Sequence, residues 1–288
     1  MQIPVITTMM GISVFPDDDQ LFCGMIGTHG VKMANAAVNE CDVLFLVGAR
    51  VGDRAVKTPL ALEKTTKIIH IHIDPAEIGK NIGADLPLVG DAKLVLQQMT
   101  ELAKPMKHDE WIAHIKTLGG ERKYVEPAKG TVNPRVFIDR LAKKMPANVT
   151  VVADVGQNQI WTCTEYKFRK EGRLLTSGGM GTMGYSVPAA IGAKMADNSR
   201  ATVAICGDGA FQMSFMELAT AVQFGVDIKV VVMTNNRLGM VRELQTNGYH
   251  DRQTAVFLDG SPDFIKLAEA YGIPAMRVYD DDTMEKGV

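Results

Sequence analysis

Two short apolar runs near the middle of the chain constrain its fold more than any other feature. Residues 201–206 read Ala-Thr-Val-Ala-Ile-Cys and residues 228–233 read Ile-Lys-Val-Val-Val-Met. Such runs predict strands buried on both faces, as in a parallel sheet covered by helices. Each stops at a polar turn: Gly207-Asp208-Gly209 after the first, Thr234-Asn235-Asn236 after the second. Twenty-seven residues separate Asp208 from Asn235. One βαβ unit fits that interval, with its helix over residues 215–224. Both turns then fall at the carboxyl ends of neighbouring strands, the edge where open α/β sheets bind ligands.

The same alternation runs through the rest of the chain. Residues 43–47 and 67–73 read as strands ending at Gly48 and at Asp74-Pro75, with a short helix over 58–64 between them. Leu94, Leu96, Met99 and Leu102 carry helical spacing over 92–102. Further on, 149–153 and 174–176 are extended and 187–195 helical. Asn133 caps a helix that Pro134 opens and that runs through Leu141. Ser261 caps a helix over 262–271, and residues 1–5 and 274–279 read as strands. The fold class is α/β, two three-layer domains with mainly parallel sheets. Their expected bounds are 1–103 and 132–288. Residues 104–131, rich in Pro, Gly and charge, read as a surface linker with a short helix at 112–118 around Trp111. A strand at the very start, and an Asp280-Asp281-Asp282 tail just after another, give both ends the look of cuts. A piece of a longer protein is therefore expected.

Composition removes several classes. A net charge of -2 over 288 residues leaves no broad basic field for nucleic acid or an anionic membrane. No apolar run approaches the roughly 20 residues that span a bilayer, and the start lacks the order of a signal peptide; a cytoplasmic protein is expected. Cys23, Cys41, Cys163 and Cys206 are far apart and read as reduced thiols. His70 and His72 alternate on one strand without a third zinc ligand, so they read as packing or hydrogen-bonding residues. Gly179, Gly181 and Gly184 match the string G-x-G-x-x-G but follow a very short strand, which argues against a nicotinamide dehydrogenase.

The residue types at the two turns suit a metal and a phosphate. The Asp208 carboxylate and the Asn235 amide oxygen are hard donors for Mg²⁺, which keeps positions open for phosphate oxygens. Glycines let the backbone approach a diphosphate, and a helix from near Ser214 adds its positive end. On the residues alone, a glycine turn with a helix-capping asparagine pair stays open. Gly207-Asp208-Gly209 with Asn235-Asn236 resembles the thiamine-diphosphate fingerprint. That resemblance implies Asp208, the Asn235 side chain and the Arg237 main-chain oxygen as metal ligands, with Gly209 and Ala210 on the diphosphate. It places Gly156, Gln157 and Asn158 at the diphosphate end and Gly181 and Met183, in the loop 176–184, under the aminopyrimidine ring. Met183 would bend the cofactor into its reactive shape, and Met240 is a further cofactor contact. By residue type alone Met183 reads as core packing.

The N-terminal half narrows the resemblance. Residues 7–12, 24–30, 48–54 and 73–80 occur in an order similar to the central domain of the acetohydroxyacid synthases. This implies FAD, not used as an electron carrier, lined by Thr8, Met9, Gly27, Thr28, His29, Gly48, Arg50, Arg54, Ile73 and Asp91. Arg50 and Arg54 follow a strand end, where guanidinium groups meet phosphate or carboxylate. His29 by itself reads as a satisfied polar residue, and Glu217 as a solvated or capping carboxylate. Two departures stand out. Val51-Gly52-Asp53-Arg54 replaces the usual Phe-Asp-Asp-Arg, and Leu244 stands where many biosynthetic members carry a tryptophan that favours 2-oxobutyrate.

The implied activity is decarboxylation of pyruvate and carboligation to a second 2-oxo acid, giving 2-acetolactate or 2-aceto-2-hydroxybutyrate for branched-chain amino-acid biosynthesis. The ring-activating glutamate belongs to a preceding domain of a neighbouring subunit, so these residues alone are expected to be inactive. A homodimer or tetramer and a regulatory small subunit are the implied partners. The alternatives are pyruvate oxidase or another 2-oxo acid decarboxylase, or a non-catalytic nucleotide-binding module.

Overall fold

The computed structural model describes residues 1–120 and 123–288. The chain forms two compact units: Met1–Gly11 with Asp19–Arg122, and Ile12–Asp18 with Lys123–Val288. No described helix is long and apolar enough to cross a membrane.

Unit 1 contains β1 (Val5–Thr7), β2 (Phe22–Met25), α1 (Lys32–Glu40), β3 (Val43–Val47), α2 (Pro59–Leu62), β4 (Lys67–His72), β5 (Leu86–Val89), α3 (Ala92–Leu102) and α4 (Asp109–Leu118). β1 pairs with β2, and β3-β4-β5 form a second sheet; every pairing is parallel. Val38, Leu46, Val51, Leu62, Ile68 and Ile82 make the main core. A second cluster joins Cys23 of β2, Ala37 of α1 and Ile115 of α4, with Trp111 packed against it. Trp111 and Ile115 lie four residues apart, on one helix face. Part of the stretch read as a linker is thus a helix that packs within unit 1, and the boundary between units falls after Arg122. The short helix expected at 112–118 is α4, which begins three residues earlier at Asp109; what the sequence did not show is that it packs into a core.

Unit 2 contains α5 (Pro134–Lys144), β6 (Thr150–Ala153), α6 (Gln157–Glu165), β7 (Arg173–Thr176), α7 (Ser186–Ala196), β8 (Thr202–Gly207), α8 (Asp208–Phe211), α9 (Leu218–Gln223), β9 (Lys229–Met233), α10 (Gly239–Gly248), α11 (Phe264–Ala270) and α12 (Asp281–Gly287). The sheet order is β7-β6-β8-β9, all parallel. On β8, Ala204 and Cys206 pack with residues of α7. Alternation turns Val203 and Ile205 to the opposite face, where α6 packs. All four are fully buried. Helices therefore cover both faces of β8, which is the buried parallel strand expected. β9, expected to be buried likewise, is a parallel edge strand whose residues are half-buried and whose Lys229 is exposed, because nothing among the described residues pairs with its outer side.

Several local expectations change. Asn133 caps α5 as expected, accepting from Arg135 N–H at 2.9 Å and Val136 N–H at 3.4 Å. The cap of α11 is Asp263, which accepts from Ile265 N–H at 3.0 Å; Ser261 Oγ instead donates to Leu258 O. The helix expected over 215–224 is a 3₁₀ turn, Phe215–Glu217, followed by α9. Residues 1–4 form no strand, and β1 starts at Val5. Residues 274–279 form none either, having no ladder partner. The acidic tail is the start of α12, with Asp280 and Thr283 in a capping box. The segment Ile12–Asp18 was not legible as part of unit 2. Asp17 N–H donates to Phe168 O at 2.8 Å, and Leu174 N–H donates to Ser13 Oγ at 3.0 Å.

Candidate functional site

The register of β8 and β9 aligns Gly207 with Met233, so the two polar turns leave the sheet side by side. Asp208 opens α8 and is 1% exposed. Its Oδ2 accepts from Asn235 N–H at 2.9 Å and Asn236 N–H at 2.6 Å, while Oδ1 accepts from Gly209 N–H at 2.8 Å. Three charge-assisted bonds thus hold a carboxylate that burial would otherwise penalise. Asn235 turns its side-chain Oδ1 onto Arg237 N–H at 3.0 Å. Asn236 sits at φ 53°, a left-handed backbone that asparagine tolerates. Arg237 is stacked 4.5 Å over the Phe257 ring. The sequence reading put the nearest helix start near Ser214; it lies at Asp208 itself, because β8 passes directly into α8.

Two glycines here lie close against neighbouring side chains. A Cβ on Gly209 would stand 2.8 Å from Leu238 Cδ2 and 3.5 Å from Met183 Cε. One on Gly239 would stand 2.2 Å from Gln157 Oε1 and 3.0 Å from Asn235 Nδ2. Met183, Gln157, Asn235 and the Gly209 turn therefore converge, as do the first residues of α10, which include Met240. Gly156, Gln157 and Asn158 sit at the start of α6, after β6. Asn158 is buried and donates from Nδ2 to Asp154 O at 2.8 Å and Ile205 O at 3.1 Å, fastening the ends of β6 and β8 together. Gln157 Nε2 donates to Glu243 Oε2 on α10 at 2.8 Å. Gly181 and Ala210 complete the set, Gly181 in the exposed loop at φ 71° and Ala210 buried in α8.

Oxygen donors meet at this edge, and no cluster of three His, Cys, Asp or Glu among the described residues competes as a metal site. One carboxylate, one amide oxygen and a carbonyl suit a hard cation completed by phosphate oxygens. The glycine turn at the start of α8 presents first-turn backbone N–H groups suited to a diphosphate. The residues present thus fit magnesium and a diphosphate group. Burial pushes the neighbouring Cys206 thiol up, and the charges of Asp154 and Asp208 push it the same way, so it stays an unreactive thiol.

Asp154 was not singled out from the sequence. It follows β6 as Asp208 follows β8, is fully buried, and binds three backbone N–H groups. An aspartate directly after a buried apolar strand was the available signal. Glu217 precedes α9, but its side chain caps no backbone N–H; its Oε2 accepts from Thr220 Oγ1 at 2.9 Å.

In unit 1 the residues assigned to a flavin follow all five strand ends. Thr8 and Met9 follow β1, and Thr8 Oγ1 accepts from Gly11 N–H at 3.2 Å. Gly27, Thr28 and His29 follow β2. Gly27 adopts φ 114°, and Thr28 N–H donates to Arg54 O at 2.9 Å. Gly48, Arg50 and Arg54 follow β3, Ile73 follows β4, and Asp91 follows β5 as the N-cap of α3. Thr28, His29, Arg50, Arg54 and Ile73 are exposed. His70 Nε2 meets Ala49 O at 2.9 Å, and burial holds its pKa down, so it is a neutral hydrogen-bonding residue as expected.

Residues 154–288 match the C-terminal TPP-binding domain of the thiamine pyrophosphate enzymes, and residues 1–99 match the central domain of the same enzymes. The chain is 41% identical to a probable acetolactate synthase large subunit of Methanocaldococcus jannaschii, over 99% of its own length and 50% of that protein. It is 37% identical to the acetolactate synthase large subunit of Lactococcus lactis, over 98% of the chain and 50% of that protein. With the isozyme 3 large subunit of Escherichia coli the identity is 35%, over 99% and 51%. The chain spans about half the length of the curated relatives it matches. A buried aspartate bonded to the asparagine turn of the next strand, set in two domains that both match one enzyme group, places this chain among the thiamine pyrophosphate enzymes.

Proposed function

We propose that the chain carries the metal–diphosphate half of an enzyme that decarboxylates pyruvate and joins the product to a second 2-oxo acid, giving 2-acetolactate or 2-aceto-2-hydroxybutyrate. The observation that carries this reading is the bonding of Asp208 to Asn235 and Asn236, in a chain whose relatives are named acetolactate synthase. Asp208, Asn235 Oδ1 and the Arg237 carbonyl would hold Mg²⁺. Gly209 lets the backbone approach the diphosphate, and Ala210 lies in a helical turn whose N–H groups have no partner within the helix. Bound there, thiamine diphosphate supplies the electron sink for losing CO₂ from a 2-oxo acid. Met183 packs at the turn and orients what binds beside it. In unit 1, Arg50 and Arg54 form no ion pair among the described residues and fit the phosphates of FAD. A homodimer or tetramer, a regulatory small subunit and a cytoplasmic location belong to the same proposal.

Product analysis tests it. The intact protein, given pyruvate, thiamine diphosphate and Mg²⁺, is expected to form acetolactate. Acetyl phosphate or free aldehyde as the sole product would replace this reading with a sister 2-oxo acid decarboxylase. Purified protein with flavin absorbance supports FAD in unit 1.

A further inference from the structure

We infer that Asp154 is a positioning residue of the proposed site: by holding the N–H groups of Gly184 and Ser186 it fixes Met183 against the Gly207-Asp208-Gly209 turn. This rests on the reading above that thiamine diphosphate occupies that turn. Asp154 Oδ1 accepts from Val155 N–H at 2.9 Å and from Gly184 N–H at 3.0 Å, and Oδ2 accepts from Ser186 N–H at 2.8 Å. The side chain is fully buried. The hydrogen bonds to its carboxylate all come from backbone N–H groups, and Asp154→Asn, which keeps one acceptor oxygen and loses the charge, weakens that hold.

Two of those donors come from the residues that directly follow Met183. Gly184 adopts φ 82°, a left-handed turn in which a Cβ would stand 3.0 Å from Met213 Cβ. The other end of the loop is tied separately. Gly181 N–H donates to Ser177 O at 2.7 Å, and Thr182 N–H donates to Ser177 Oγ at 3.2 Å. Met183 lies between the two anchors, with its Cε beside Gly209. Asp154 itself stands at the end of β6, whose Ala153 is in register with Ile205 of β8. One rigid strand edge thus carries both Asp208 and the carboxylate that places Met183.

Asp154 also satisfies a first-turn N–H of α7, so a purely structural role has to be separated from positioning. Calorimetry on the intact protein with two probes does this: thiamine diphosphate with Mg²⁺, and inorganic diphosphate with Mg²⁺. Asp154→Asn is expected to weaken thiamine diphosphate by about tenfold or more while changing inorganic diphosphate by less than about twofold. Met183→Ala is expected to behave alike, and Asp154→Asn is expected to add little in that background. Equal weakening of both probes, unchanged thiamine diphosphate affinity, or a full added effect on Met183→Ala would each overturn the inference. Where Asp154→Asn fails to fold by circular dichroism, Asp154→Glu keeps the charge and lengthens the arm, and the same pattern is expected. Failure of the wild type to bind thiamine diphosphate removes the functional reading and this inference together. A normal wild type with an unaffected Asp154→Asn removes the inference alone.

Discussion

The two carboxyl edges of this chain are built by the same topology and finished in different ways. In unit 2, Asp154 and Asp208 are buried beneath the edge, and each takes three backbone N–H groups. The loops of that edge are pinned by charge before anything binds. In unit 1 the corresponding loops are tied by main-chain bonds, such as Thr28 N–H to Arg54 O, and by Asn35, which bonds both N–H and C=O of Gly27. Of the residues assigned to a ligand there, Thr28, His29, Arg50, Arg54 and Ile73 are exposed, Ile73 by 67%. A compact metal and a diphosphate need fixed oxygens, and buried carboxylates supply them. An extended nucleotide needs a long surface, which exposed loop tips provide.

The sharpest way to break this comparison is Asp208→Ala. It is expected to abolish magnesium-dependent thiamine diphosphate binding and to cost about 2–4 kcal/mol of stability, because three N–H groups lose a charged acceptor. Calorimetry and urea titration check both. Retained binding would show that the metal does not sit on this carboxylate.

The matching test in unit 1 is Gly27→Ala. A Cβ there would stand 2.4 Å from the Arg54 carbonyl oxygen, on a backbone at φ 114°. The expected cost is about 2–4 kcal/mol, with loss of any bound flavin. An unchanged melting transition would mean that the loop gives way freely and that main-chain ties do not define this edge.

A smaller effect sharpens the role of N–H donors. Asp17 is a half-buried carboxylate whose Oδ2 accepts from Phe168 N–H, at 3.0 Å, while its Oδ1 has no partner. Burial pushes its pKa from 3.8 up to about 6, against the pull of Phe168 N–H and Lys167. Between those values the folded chain keeps a proton that the unfolded chain has lost. Stability therefore falls as pH rises from about 4 to 6, and the deficit persists above that window. Asp17→Asn is expected to stabilise the protein by about 1–2 kcal/mol at pH 7.5 and by nothing at pH 4. Urea midpoints at the two pH values decide it; an equal shift at both would remove the carboxylate as the cause.

Much of this protein was legible in one dimension. Short apolar runs ending in glycine or asparagine turns located β3, β8 and β9; β8, covered on both faces, has to be apolar throughout, whereas β3 and β9 are half-buried edge strands. The interval between Asp208 and Asn235 put both at one edge, because a βαβ unit returns the chain to the same end of the sheet. Tertiary structure decided the rest. The strands β2 and β5 are four residues each and carry no distinctive run. The helix α4 was legible, but its packing on α1 and β2 was not, and Ile12–Asp18 joins unit 2 through bonds to Phe168 and Leu174 that lie some 150 to 160 residues away. Residue type could mark Asp208 as a hard oxygen donor suited to a metal. Only the fold could show that Asp154 reaches Gly184 and Ser186, because a buried carboxylate takes its meaning from the N–H groups that packing brings to it.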